Sequence, residues 1–182
     1  LSKLNIKNQN LIKEYFPKTK DTLNLKDHKI KASYTNKKIS IKGSGKVKLE
    51  DKFELIDYEV TKKGSDIDLV SNIELSEINI KNQNLIKKYL PNTKDTLNLK
   101  EHKVKINYKD DILSLEGLGK IKLEKEFNII RYSFSKKNKK YNFETDLEVN
   151  DTPLKIDFIN YEKDKKLNSK LKIIGGYTKK IG

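Results

Sequence analysis

Asn5-Ile6-Lys7-Asn8-Gln9-Asn10-Leu11-Ile12-Lys13, then Tyr15, Pro17 and Thr19-Lys20-Asp21-Thr22-Leu23-Asn24-Leu25-Lys26, returns as Asn79 to Lys87, Tyr89, Pro91 and Thr93 to Lys100. The offset is constant (79 − 5 = 74) and persists without a gap: His28 maps to His102, Gly43 and Gly45 to Gly117 and Gly119, Phe53 to Phe127, Tyr58 to Tyr132. Of the 74 pairs that start between Leu4 and Glu77, 36 are identical. A fixed period of this kind points to an elongated architecture in which each unit leans on the next. The chain is read as unit 1 over 4–77, unit 2 over 78–151, and a partial unit, a terminal hairpin, over 152–182. Because the repeat is under way at Leu4 and breaks off in a part-unit, the sequence is expected to be a segment of a longer protein.

Each unit opens with a stretch that predicts a short helix, Lys7 to Phe16 and Lys81 to Leu90. Leu11, Ile12, Tyr15 and Phe16 make one apolar stripe, and Pro17 and Pro91 stop it, since proline disfavours α backbone in the residue before it. Period 2 then takes over. Ile30, Ala32 and Tyr34 alternate with Lys29, Lys31 and Ser33, and Thr35-Asn36-Lys37-Lys38 reads as a turn. Ile39, Ile41, Gly43, Gly45, Val47 and Leu49 alternate with Ser40, Lys42, Ser44, Lys46 and Lys48. Phe53 and Leu55 start a strand whose pattern slips to Ile56, Tyr58 and Val60, which predicts a bulge near Leu55. Lys62-Lys63-Gly64-Ser65 is a hairpin turn, and Ile67 to Leu75 closes the unit. In the remainder, Leu154–Tyr161 and Leu167–Tyr177 are expected to pair as one hairpin. The whole is an antiparallel meander with one apolar and one lysine-coated face.

That apolar face constrains function. One helix of about ten residues per unit is too small to cover four strands of roughly 20 Å each. Either the sheet fills its interior with its own side chains, as a β-solenoid would, or it stays open as a trough for an apolar ligand. Residue spacing does not choose between them.

Other functions find less support. The formal charge of +14 suggests nucleic acid, but Arg131 is the sole arginine and the lysines are spread over every segment. Phosphate and guanine recognition favours arginine. Asp27-His28 and Glu101-His102 put one acid beside one histidine per unit, whereas a metal site needs three or four ligands. Both histidines read as polar residues where a strand begins. Gly43-Ser44-Gly45 and Gly117-Leu118-Gly119 lack the following helix of a phosphate loop and read as places of close approach. No carboxylate pair or nucleophile–His–acid set stands out, no cofactor is implied, and the chain is expected not to be an enzyme. The lack of cysteine excludes disulfides and thiol chemistry.

The Leu11-Ile12-Lys13-Glu14-Tyr15-Phe16-Pro17 turn, the His28-Lys29-Ile30 strand start, the Ile39 to Leu49 strand, and the strands Leu154 to Phe158 and Leu171 to Tyr177 together resemble the AsmA-like family of Gram-negative bacterial bridge-like lipid-transport proteins, of the YhdP and TamB type. The resemblance implies a mostly β fold, a tandem-repeat antiparallel sheet curled into an elongated groove with one short helix per repeat. It also implies inner-membrane anchoring through an anchor outside this segment, a location in the periplasm, and a role in outer-membrane biogenesis. The partner would be phospholipid or another acyl lipid, conducted between inner and outer membranes, with no specific nucleic acid expected. The groove-lining candidates are then Ile30, Tyr34, Ile39, Ile41, Val47, Leu49 and Phe53 in unit 1, Val104, Tyr108, Leu113, Leu115, Ile121, Leu123 and Phe127 in unit 2, and Ile156 and Phe158 beyond. Gly43, Gly45, Gly117 and Gly119 would keep its floor flat. A structural or adhesive self-filled β-solenoid is the alternative, and a basic nucleic-acid binder the third reading.

Overall fold

The alternation of apolar and polar residues folds as it reads. A computed structural model describes residues 3–7, 22–82, 87, 90 and 92–178. Ten strands form one antiparallel sheet. They are β1 (Lys3–Lys7), β2 (Thr22–Thr35), β3 (Lys38–Lys48), β4 (Phe53–Lys63), β5 (Asp66–Lys81), β6 (Thr96–Lys109), β7 (Ile112–Lys122), β8 (Phe127–Lys137), β9 (Lys140–Glu148) and β12 (Lys170–Thr178). Each pairs with its neighbour in sequence, apart from the insertion of β10 (Leu154–Ile156), the 3-10 turn η1 (Asp157–Ile159) and β11 (Tyr161–Lys163) between β9 and β12.

Topology puts all the tight turns at one end. The β2–β3, β4–β5, β6–β7 and β8–β9 turns have two residues each, with left-handed backbone at Asn36 and Lys37, Gly64, Asp110 and Asp111, and Asn138. Such turns match the twist of the strands they join. The longer connections 49–52, 123–126 and 149–169, and the described residues between β5 and β6, lie at the opposite end.

The register shows which residues share a face. Ile30↔Gly43↔Tyr58↔Ser71↔Ile106↔Leu115↔Phe134↔Phe143↔Gly175 runs straight across nine strands. The row nearer the tight turns reads Ala32↔Ile41↔Val60↔Leu69↔Tyr108↔Leu113↔Lys136↔Tyr141↔Tyr177. Tyr108, the counterpart of Tyr34, thus stands in the row of Ala32, so the sheet staggers by two residues, about 7 Å, per unit.

Two expectations are corrected. The bulge is not near Leu55, because β4 pairs with β3 and β5 without a register shift. It lies in β2 between Lys26 and Lys29 and again in β6 between Lys100 and Lys103. Asp27 (φ 57°) and Glu101 (φ 55°) there take left-handed backbone. Phe53 and Leu55 are simply apolar residues on the other face, and the Lys26 and Lys48 amines each stand 5.8 Å from the Phe53 ring centre. The terminal hairpin also differs: β10 pairs with β11, and β12 pairs with β9. The left-handed Asn160 (φ 49°) reverses the chain early, leaving Leu171, Ile173 and Tyr177 to match the apolar side of β9. As for the helices, Lys7 and Lys81 end strands, residues 8–16, 83–86, 88 and 89 lie outside those described, and among the described residues only Lys87 has α-helical backbone.

The core lies on the apolar face toward the long connections. Leu75, Ile78, Leu97, Leu99, Ile121, Leu123, Leu147 and Val149 form one buried cluster, joined by Leu90 from the 82–95 connection and Leu154 from β10. Side-chain hydrogen bonds hold both connections down. Asn82 Nδ2 donates to Thr93 Oγ1 (2.9 Å) and the Lys94 carbonyl (2.7 Å). The buried Lys163 ammonium donates to the Thr152 carbonyl (2.9 Å) and the Asp164 carbonyl (3.2 Å). Where β5 and the end of β9 leave the regular ladder, a neighbouring side chain takes up the freed donor. Glu54 accepts from Ser76 N (2.7 Å) and Ser76 Oγ (2.8 Å), and its counterpart Asn128 accepts from Asn150 N (2.9 Å).

Candidate functional site

The apolar face divides into two halves along the strands. Toward the long connections it is sealed: Leu97 is 0% and Leu123 2% exposed. Toward the tight turns it is open, with Tyr34 71%, Tyr177 57% and Ile39 42% exposed, and Ile30, Ile67, Phe143 and Ile173 exposed as well. Seven such side chains leave on the order of several hundred Å² of apolar surface, the size at which patches on soluble monomers are usually functional.

The sequence candidates distribute over both halves. Ile30, Tyr34, Ile39, Ile41, Tyr108 and Leu113 come together on the open half, and Leu115 lies at its border, packing against the core cluster. Val47, Val104, Ile121 and Leu123 share the face but are buried, and Leu49 packs against the core cluster. Phe53 and Phe127 stand on the polar face, where each forms a platform between two lysines; Lys100 and Lys122 lie 5.6 Å and 5.7 Å from the Phe127 ring. Ile156 packs against the core from β10, and Phe158 belongs to the η1 turn. The groove-lining set left out Tyr58, Val60, Tyr132, Phe134, Tyr141 and Ile173, although Tyr58 and Val60 stand in an alternating run, and also Lys62 and Lys136, which close the strip at the turn end of β4 and β8. The signal for them was pairing arithmetic about the 49–52 and 123–126 connections, which only a known register supplies.

The glycines prove to be floor beneath aromatic rings. Tyr58 lies over Gly43 and His28 over Gly45; at the matching positions of unit 2, Tyr132 lies over Gly117 and His102 over Gly119. A strand glycine leaves backbone bare, and a cross-strand ring recovers that contact. Phe143 does the same over Gly175. His28 Nε2 is 3.1 Å and His102 Nε2 2.9 Å from the carbonyls of Lys46 and Lys120. Burial lowers the His102 pKa below its ordinary value, against the opposing pull of the Lys120 carbonyl. The ring is therefore neutral at pH 7, Nε2–H donates to the carbonyl, and bare Nδ1 accepts from the Tyr132 hydroxyl at 3.2 Å. Burial pushes the Tyr132 phenol up to about 12.

The opposite face is striped rather than uniformly basic. Lysines on β2 and β3 face acids on β4 and β5, and acids on β9 face Lys170 and Lys172 of β12. Lys42–Glu59 (3.0 Å) and Lys172–Glu144 (2.7 Å) bridge the stripes. Exposed pairs of this kind add about 0–1 kcal/mol each and chiefly fix register. A shallow hollow of about 560 Å³ lies on this face, edged by Asp57, Glu74, Lys103, Lys105 and Arg131. Among the described residues no group of three His, Asp or Glu could hold a metal ion.

Fold and surface together define an antiparallel β-meander sheet with one apolar face, half sealed and half open. No family model, curated protein or solved structure matches the chain.

Proposed function

We propose that this chain is a segment of an AsmA-like, groove-type lipid-transport protein that shields acyl chains on its apolar face and conducts phospholipid across the periplasm. One observation carries the reading: the row of the apolar face nearer the tight turns continues across nine strands, from Ala32 and Ile41 to Tyr141 and Tyr177, with no buried residue and no acidic side chain. Burial of each methylene is worth about 0.8 kcal/mol, so an acyl chain on such a strip is favoured over water. Recurrence of similar side chains from one unit to the next would give a lipid near-equivalent resting places. The curl into a trough, the helix in each unit and the inner-membrane anchor are parts of the same proposal.

The buried cluster around Leu97 and Leu123 favours a second reading, a self-filled structural repeat. Nucleic-acid binding is disfavoured by the charge stripes, which put acids beside the lysines that phosphates would need. A photo-crosslinking residue at Ile41 or Leu115, and for comparison at the adjacent Lys42 or Glu116 on the other face, separates the readings. The groove reading expects phospholipid adducts at 41 and 115 only. Adducts at none of the four positions, with no phospholipid in native mass spectra of gently purified protein, would leave the self-filled repeat.

A further inference from the structure

We infer that the edge formed by the tight turns is a headgroup rim, so that the lipid held on the open strip is an anionic phospholipid with its phosphate at Lys62 or Lys136. This inference rests on the groove reading above.

The strand ends at the tight turns are rich in lysine. The four turn tips (36–38, 62–66, 109–111 and 136–140) carry nine lysines and three aspartates, 9 − 3 = +6. Every tip lysine is exposed, and among the described residues none forms an ion pair, whereas Lys42, Lys120 and Lys172 farther down the strands are paired with acids.

Two of the tip lysines stand on the apolar face itself. Lys62 is flanked by Ile39 and Ile67, and Lys136 by Leu113 and Tyr141, whose ring centre is 5.7 Å from the Lys136 amine. They are equivalent in the repeat (136 − 62 = 74) and end the same run in each unit: Ile56, Tyr58, Val60, Lys62 and Ile130, Tyr132, Phe134, Lys136. The open part of the run, from Tyr58 to Lys62, is four steps along the strand, about 13 Å. That span is comparable with one leaflet, half of a hydrocarbon core about 30 Å thick. An apolar run of leaflet length ending in a cation has the complementary profile of an anionic phospholipid laid along the strand. Tyrosine and lysine side chains with apolar stems also suit the boundary between tail and headgroup.

The test is native mass spectrometry of the whole chain with dioleoyl phosphatidylglycerol and dioleoyl phosphatidylcholine, which share acyl chains and differ in headgroup charge. The expected result is retention of phosphatidylglycerol by about tenfold or more over phosphatidylcholine. Lys62→Gln/Lys136→Gln should retain both lipids without preference. Lys29→Gln/Lys103→Gln, the same charge change on the polar face, should keep the preference. Equal retention by the unmodified chain, or a preference surviving in Lys62→Gln/Lys136→Gln, overturns the rim while leaving the groove. Retention of neither lipid overturns both. Displacement of phosphatidylglycerol by glycerol 3-phosphate at equal concentration would mean a site for free phosphate, and it also overturns the rim.

Discussion

The Tyr132 hydroxyl and His102 Nδ1 meet at 3.2 Å, and these two rings roof alternate glycines of one strand, Tyr132 over Gly117 and His102 over Gly119. The unit couples three strands through contacts that the backbone ladder does not make. It ties β6 and β8 to β7 beside the β6 bulge at Glu101. His102 is 1% exposed, so its ring has no room to move aside.

Gly119→Ala is the direct check on that packing. A Cβ at 119 would run into His102 Cγ and Cδ2, atoms near the ring's own attachment, so the side chain cannot swing clear. The expected cost is about 1–3 kcal/mol, the range for overpacking. In a His102→Ala background the same substitution should cost under about 0.5 kcal/mol, because the obstruction is gone. Urea midpoints of the four proteins complete the double-mutant cycle. Additive costs would mean that His102 does not fill the space above Gly119.

The same pair sets a pH dependence. Folding lowers the His102 pKa below its ordinary 6.5, so at mildly acidic pH the unfolded chain binds the proton first. Stability from this group is complete above about pH 6.5 and is lost as pH falls from there to the depressed folded value. Tyr132 acts at the other extreme: its pKa rises from 10.0 to about 12, so its contribution is complete below pH 10 and is lost as pH climbs toward 12. The urea midpoint of the unmodified chain should decline in both windows. His102→Gln should flatten the acid limb, and Tyr132→Phe the alkaline one. An acid limb unchanged in His102→Gln would assign it to other groups.

Truncation along the strands should separate the sealed half from the open one. Leu97→Ala empties a fully buried site and should cost about 2–5 kcal/mol. Ile39→Ala, on the same face but 42% exposed, should cost less than about 1 kcal/mol. Chemical denaturation of the two variants reads the difference. Equal costs would mean that the turn end is packed core and offers nothing to a ligand.

Much of the fold could be read from the residues. Strict alternation in Ile39 to Val47 and Leu113 to Ile121 makes strands, since only a period of two puts their apolar atoms on one side. Asn36-Lys37 and Gly64-Ser65 mark turns because short polar side chains or glycine accept left-handed backbone. The constant repeat offset implied that one unit's pairing would recur in the next, and the β2–β3 register does recur in β6–β7.

Of the candidate site, the sequence placed Ile30, Tyr34, Ile39, Ile41 and their counterparts on one face and stopped there. Tertiary structure decided the rest, because those outcomes depend on competition between distant segments. Phe53 and Leu55 break alternation in the same way whether a strand bulges or carries apolar residues on both sides, and only its partners' register distinguishes the two. Val47 and Ile39 occupy equivalent steps of one pattern, yet one is buried and the other open. Whether β12 joins Leu154 to Tyr161 or β9 turned on which apolar side was free to receive Leu171 and Ile173. Alternation fixes the side of the sheet on which a residue stands; what covers that side is a matter of long-range packing, which a local pattern does not encode.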